Sequence, residues 1–207
     1  MSTLVHRLTT LPDGLRVATA ALPHVETVAV GVWIGAGTRH EPADAAGVAH
    51  MLEHMAFKGT ERRDARRIAE EIESVGGSLD AHTSREYTAY YARLLAADLP
   101  LALDLVADIL QHSRLDEEEL ARERQVILQE IAEVADTPDD LVFDLFQEQA
   151  FPEQPLGRPV LGDRTSVAAM PREALHRFLG EHYLASRAVV AAAGKVDHEE
   201  VVALTAR

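Results

Sequence analysis

The chain of 207 residues contains no cysteine. It can therefore form neither a disulfide framework nor a thiolate metal site, and any metal would have to be held by histidine and carboxylate. Basic residues are scarce beside acidic ones, 20 Lys and Arg against 34 Asp and Glu, which gives a formal net charge of -14. That balance argues against nucleic acid as a partner. No apolar stretch approaches the roughly 18 residues that suggest a membrane-crossing helix. No apolar run follows a basic start, so no signal peptide is expected and a cytoplasmic location is the default. What remains is an ordinary globular composition, 47% hydrophobic and 26% charged, in a length that suits one large domain, or one and a half, with a substantial core.

The acidity is unevenly placed. From Asp98 to Glu148 there are fifteen acidic residues against three arginines, a net of -12. This is either a solvated helical surface or an acidic wall that attracts basic peptides. An acidic calcium-binding module is excluded, because the D-x-[DN]-x-[DN]-G loop spacing is missing.

The most informative stretch is His50-Met51-Leu52-Glu53-His54. Histidines four apart stack on one face of a helix and can offer imidazole nitrogens to one metal. With Glu53 before the second histidine, the order is H-x-x-E-H, the reverse of the H-E-x-x-H zinc peptidases. The other reading is two surface histidines and a glutamate on a polar stripe. Flanking signals place the motif on a helix of about fourteen residues, starting near Pro42 and Asp44 and stopping at Gly59.

Around this helix the patterning predicts strands at Val5–Leu11, Leu15–Ala21 and Thr27–Ile34, with a hairpin turn at Pro12-Asp13-Gly14. A second hairpin pairs Ser78–Thr83 with Tyr87–Leu95, and a final buried strand covers Ala188–Ala193. Helices are expected over Asp64–Val75, Asp98–Gln111 with a capping aspartate, Leu115–Ala135, Asp139–Ala150 and Pro171–Tyr183, with a last one capped by Asp197. Phe151–Pro159 reads as a loop. Strands and helices mix, and neighbouring strands form hairpins, so the class is α+β with a largely antiparallel sheet covered by helices.

A catalytic zinc usually has three protein ligands and a water. On the Leu115–Ala135 helix, Glu123 and Glu130 lie about 20° apart on the wheel, among Leu120, Ile127 and Val134. Carboxylates on an apolar stripe need a cation or hydrogen-bond donors, and a metal would serve. The wheel leaves both glutamates open as the third ligand. Of the remaining histidines, His6, His24, His40, His112, His176 and His198 read as surface groups in turns or on polar helix faces.

At this point the chain resembles a known family. His50 to His54, continued by Met55-Ala56-Phe57-Lys58-Gly59-Thr60, is similar to the pitrilysin/insulinase family, and most to its mitochondrial-processing-peptidase-like bacterial members. The likeness extends through Gly76 to Thr88, Glu123 to Glu130 and Phe151 to Gly162 in the same order, nearly the whole chain. It implies a zinc-dependent endopeptidase in which His50, His54 and Glu130 hold one Zn²⁺ per chain. Glu53 would be the catalytic base, and Glu123 a residue supporting the ligands. Leu79, Asp80, Ala81, His82 and Thr83 would form the strand beside which a peptide substrate adds. The family commonly has asparagine where this chain has Asp80. An ionised aspartate only accepts, so Asp80 would favour a basic or donor-bearing group. The family is built from two similar halves closing around a peptide chamber. Residues 1–207 correspond to the first, metal-bearing half, which would need the C-terminal half or a homologous subunit for full activity. A non-catalytic peptide-holding or assembly subunit is the alternative.

Overall fold

The computed structural model describes residues 5–206. Strands β1 (Val5–Thr10) and β2 (Arg16–Ala21) form an antiparallel hairpin, and β3 (Thr27–Ile34) follows. In the β1–β2 turn Gly14 adopts φ 92, and the Asp13 carboxylate accepts from Leu15 N at 3.0 Å. Strands β4 (Ser78–Thr83) and β5 (Thr88–Leu95) make the second antiparallel hairpin. Strand β6 (Ala188–Gly194) returns late in the chain and inserts between β2, to which it is parallel, and β3, to which it is antiparallel. The order is β1-β2-β6-β3-β5-β4, and among the described residues the β2–β6 ladder is its one parallel pairing. The expected α+β class with a largely antiparallel sheet is what is observed.

Eight α-helices accompany the sheet among the described residues: α1 (Val48–Ala56), α2 (Ala65–Ser74), α3 (Leu99–Gln111), α4 (Glu117–Asp136), α5 (Pro138–Ala150), α6 (Arg164–Ala169), α7 (Arg172–His182) and α8 (His198–Thr205). Aspartates cap several of them. Asp64, Asp116, Asp163 and Asp197 each accept backbone N–H bonds in the first turn, which spares donors that would otherwise be orphaned. Asp98 makes no such side-chain bond, contrary to expectation, and Pro100 instead removes one donor from the first turn of α3. Along β3, Val28, Val30 and Ile34 are buried while Trp33 is exposed; along β6, Ala188, Val190 and Ala192 are buried while Ala193 is exposed. The period of two sends one side of the sheet into the core. Met51, Leu52, Leu120, Ile127, Leu175 and Phe178 build one core cluster that joins α1, α4 and α7. Each such side chain contributes about 1.5–3 kcal/mol through burial.

Three readings of the sequence are corrected. Helix α1 is nine residues long and starts at Val48, because a 3-10 turn at Ala43–Ala45 and a left-handed Gly47 precede it. Residues 164–169 form α6, which the patterning did not mark. His198 is buried rather than on the surface: its Nε2 and Nδ1 each lie 2.8 Å from a threonine hydroxyl, of Thr9 and Thr19. Both ring nitrogens are thereby satisfied inside, which removes the cost of burying them. Among the described residues no helix is long and apolar enough to cross a membrane.

Candidate metal centre

The site begins with how α1 is held. A Cβ at Gly47 (φ +93) would stand 2.8 Å from the Leu161 carbonyl oxygen, so the residue before the helix must be glycine. The usual capping side chain is replaced by Glu41, six residues upstream. Its Oε2 accepts from Gly47 N at 2.8 Å and its Oε1 from Ala49 N at 2.9 Å. Arg158 donates to the Glu41 carbonyl oxygen at 2.9 Å.

Burial outweighs the two N–H bonds and Arg158, and pushes the Glu41 carboxyl from 4.5 up to about 7. The folded state thus holds this proton more tightly than the unfolded state. The associated stability is complete below pH 4.5 and is lost as pH rises through 7. At 1.36 kcal/mol per pH unit the full loss is about 3 kcal/mol. Relative to Glu41→Gln, the wild type is expected to lose about 2–3 kcal/mol between pH 5 and pH 8 by urea denaturation. A difference that does not change with pH would count against this role.

Helix α1 presents His50 and His54 on one face towards α4. His50 Nε2 lies 3.8 Å from Glu130 Oε2, and His54 Nε2 lies 3.7 Å from Glu130 Oε1. One ligand atom from each of the three falls within 4.8 Å of the others. A tetrahedral zinc about 2.0–2.1 Å from each donor would set them roughly 3.3 Å apart, so a small side-chain contraction makes the cluster fit the ion. The two-nitrogen, one-oxygen donor set suits zinc, and with no cysteine there is no competing thiolate. Burial, and then the neighbouring His54, hold the His50 imidazole down at about 4, so its lone pair is free at neutral pH. Burial raises the Glu130 carboxyl; His54 offsets part of this, and Glu123, Glu133 and Glu53 add repulsion. A bound cation would reverse that balance.

Behind the cluster, Glu123 is 5% exposed. Its Oε2 lies 2.9 Å from His54 Nδ1 and its Oε1 lies 2.7 Å from Lys58 Nζ. Burial alone would raise this carboxyl, but the hydrogen bonds from Lys58 and His54 outweigh it and hold the group below its ordinary value. Glu53 Oε2 is buried with no hydrogen-bond partner. His50 Nδ1 is likewise buried and unpartnered. The sequence reading missed Glu41 and Lys58. Lys58 had a signal, since it stands four residues after His54 and so near the same helical face.

Residues 16–164 match the model of the family described as Insulinase (Peptidase family M16). The chain belongs to the insulinase family, peptidase family M16. Residues 169–207 match the model of the peptidase M16 inactive domain. The chain is 52% identical over 196 residues to a probable mitochondrial-processing peptidase subunit beta of Arabidopsis thaliana, covering 95% of this chain and 37% of that protein. It is 50% identical, again over 196 residues, to an uncharacterized zinc protease of Mycobacterium leprae, covering 95% of this chain and 44% of the relative. A solved protease from Helicobacter pylori superposes with a TM-score of 0.92 at 28% identity, covering 98% of this chain and 49% of that one. The chain thus spans less than half the length of these two relatives.

In this M16 chain the segment resembling the family's substrate strand is β4, one of the two edge strands of the sheet. Leu79 and Ala81 pack on the apolar clusters and Thr83 is buried, while Asp80 and His82 are exposed on the opposite face. Asp80 Oδ1 accepts from Ala81 N at 2.8 Å, and Oδ2 from the Tyr91 hydroxyl at 3.4 Å. The Asp98–Glu148 region is partly neutralised inside the fold. Asp104 and Asp108 pair with Arg62 and Arg63, Glu123 with Lys58, and Asp144 with Arg85. Glu133, Asp136, Asp139 and Asp140 stay exposed where α4 meets α5.

Proposed function

We propose that this chain is the metal-bearing catalytic half of a zinc-dependent endopeptidase that cleaves peptides or unfolded segments. The observation that carries the reading is the convergence of His50 Nε2, His54 Nε2 and the Glu130 carboxylate at 3.7–3.8 Å. A zinc ion, one per chain, supplies when bound a water of lowered pKa and polarisation of the scissile carbonyl. The protein's own residues do the rest. His50 and His54 each offer an Nε2 to the ion, and Glu123 fixes the ring of His54 through Nδ1. Glu53 takes the proton of the attacking water on its unpartnered oxygen and returns it to the leaving amine.

The peptide adds along the free edge of β4, where backbone hydrogen bonds give affinity largely independent of sequence. Glu133 and Asp136 lie three and six residues beyond Glu130 on α4, about 4.5 and 9 Å along the axis, and favour basic residues in the peptide. A cleavage profile on a random peptide library is expected to show Lys or Arg enriched near the cut. A flat profile at those positions would remove this preference.

The partner is a second body, the C-terminal half or a homologous subunit. Helix α5 supports this. It turns Val142, Phe143, Leu145 and Phe146 outward at 51–69% exposure while Asp144 and Gln147 face inward. An apolar face of this kind on a surface helix calls for cover. The chain alone is expected to bind zinc and to cleave weakly, with turnover rising at least tenfold when the remaining half is supplied as a separate polypeptide. Full turnover unchanged by that addition would refute the requirement. A peptide-holding subunit is the second reading, favoured by the match of residues 169–207 to the inactive-domain model. The complete set of His50, Glu53, His54 and Glu130 stands against it.

A further inference from the structure

We propose that Lys58 is a positioning residue for the metal site, acting on His54 through Glu123. This rests on the zinc-site reading above. The chain of contacts is short: Lys58 Nζ to Glu123 Oε1 is 2.7 Å, and Glu123 Oε2 to His54 Nδ1 is 2.9 Å. The two oxygens of one buried carboxylate are therefore divided, one for the lysine and one for the ligand. A carboxylate held at one oxygen only can swing about its last torsion. Held at both, it presents a fixed lone pair to His54 Nδ1 and so fixes where His54 Nε2 points.

Lys58 itself grows from a pinned backbone. Its N–H donates to the Met55 carbonyl oxygen at 3.2 Å. The next residue, Gly59, adopts φ +117 and accepts from Arg114 N at 3.1 Å. Thr60 is fully buried, with its hydroxyl donating to Asp108 at 2.8 Å and its N–H to the Arg63 carbonyl oxygen at 2.7 Å. The ammonium is thus delivered from a fixed base rather than from a loose loop. Charge supports the same assignment. Three carboxylates, Glu53, Glu123 and Glu130, gather at the site. Lys58 is the cationic side chain set against the most buried of them. A buried carboxylate deprived of its cation is costly and relaxes towards whatever donor or solvent it can reach.

The test is zinc affinity, by competition with a chromophoric chelator, on the chain with Lys58→Met, Lys58→Gln, Lys58→Arg and Glu123→Gln, and on Lys58→Met in the Glu123→Gln background. Metal-free melting of each sample checks the fold. Lys58→Met and Lys58→Gln are expected to weaken zinc binding about tenfold, the low end of the range for groups that support a ligand. Lys58→Arg should restore most of the affinity, and Lys58→Met should add nothing once Glu123 is Gln. Unchanged affinity in both neutral variants would overturn the proposal. So would the same tenfold loss in the Glu123→Gln background, since Lys58 would then act by some route other than Glu123. A wild type that takes up no zinc would overturn the site reading and this proposal together, whereas zinc in the wild type with no effect of Lys58 overturns this proposal alone.

Discussion

Glu53→Gln is expected to lower peptide cleavage by about a thousandfold, within the range set by removing a general acid–base group, and to leave zinc content at the wild-type level. The substitution is isosteric and keeps α1 intact, and Glu53 is not one of the three clustered ligand residues. What it removes is the ability to hold a proton. Glu53 Oε2 is buried without a partner beside that cluster, and an acceptor left unsatisfied in a folded protein calls for a functional reason. The neighbouring phenols cannot take over. Tyr90 and Tyr183 share a hydroxyl contact at 3.1 Å. Burial pushes the Tyr183 hydroxyl up to about 12, with the Glu53 charge adding to the rise against the hydrogen bonds from Tyr90 and Thr88, so it stays protonated and is no base near neutral pH. The measurement is kcat/KM together with bound zinc per chain, made on a preparation that cleaves. Undiminished cleavage with full zinc would end the assignment of Glu53.

Most of the residues that the fold brings together at this cluster were legible from local patterning. The H-x-x-E-H order needs only the helical repeat to put two imidazoles and a carboxylate together. The two glutamates on the apolar stripe of α4 were visible because a charge on a core-facing position is an anomaly that needs a cause. The strands were legible for the same reason: β3 buries alternate residues, and turn residues bound it. Long-range contacts were not legible. The start of α1 was misplaced because its cap is Glu41, which reaches Gly47 and Ala49 through tertiary structure rather than from the N-cap position. The same holds for β6, whose place between β2 and β3 is a matter of topology. His198 looked like a surface group because the threonines that satisfy it, Thr9 and Thr19, stand some 180–190 residues away. Helix α6 was overlooked for a different reason. At six residues it is too short for a periodicity to declare itself, and its one local sign was the capping Asp163.

Glu130→Ala is expected to cost more zinc affinity than any change behind the cluster, on the order of a thousandfold or more, because groups that merely support a ligand cost 10–100-fold. The helical wheel could not choose between Glu123 and Glu130, and the geometry separates them. Glu130 faces the Nε2 atoms of both histidines at 3.7–3.8 Å, so its carboxylate shares a point with them where one ion can sit. Glu123 faces Nδ1 of one histidine, on the far side of its ring, and its other oxygen is taken by Lys58. Glu123→Ala should therefore weaken binding by about 10–100-fold and leave a three-ligand site. Glu130→Ala should leave two nitrogens and no charge-compensating oxygen. The comparison is made by chelator competition on both variants, with metal-free melting as a check on folding. An equal loss would remove the distinction, and a larger loss in Glu123→Ala would exchange the two roles. It would also place the metal on the Nδ1 side of His54, where Lys58 would be a competitor for the carboxylate rather than its support.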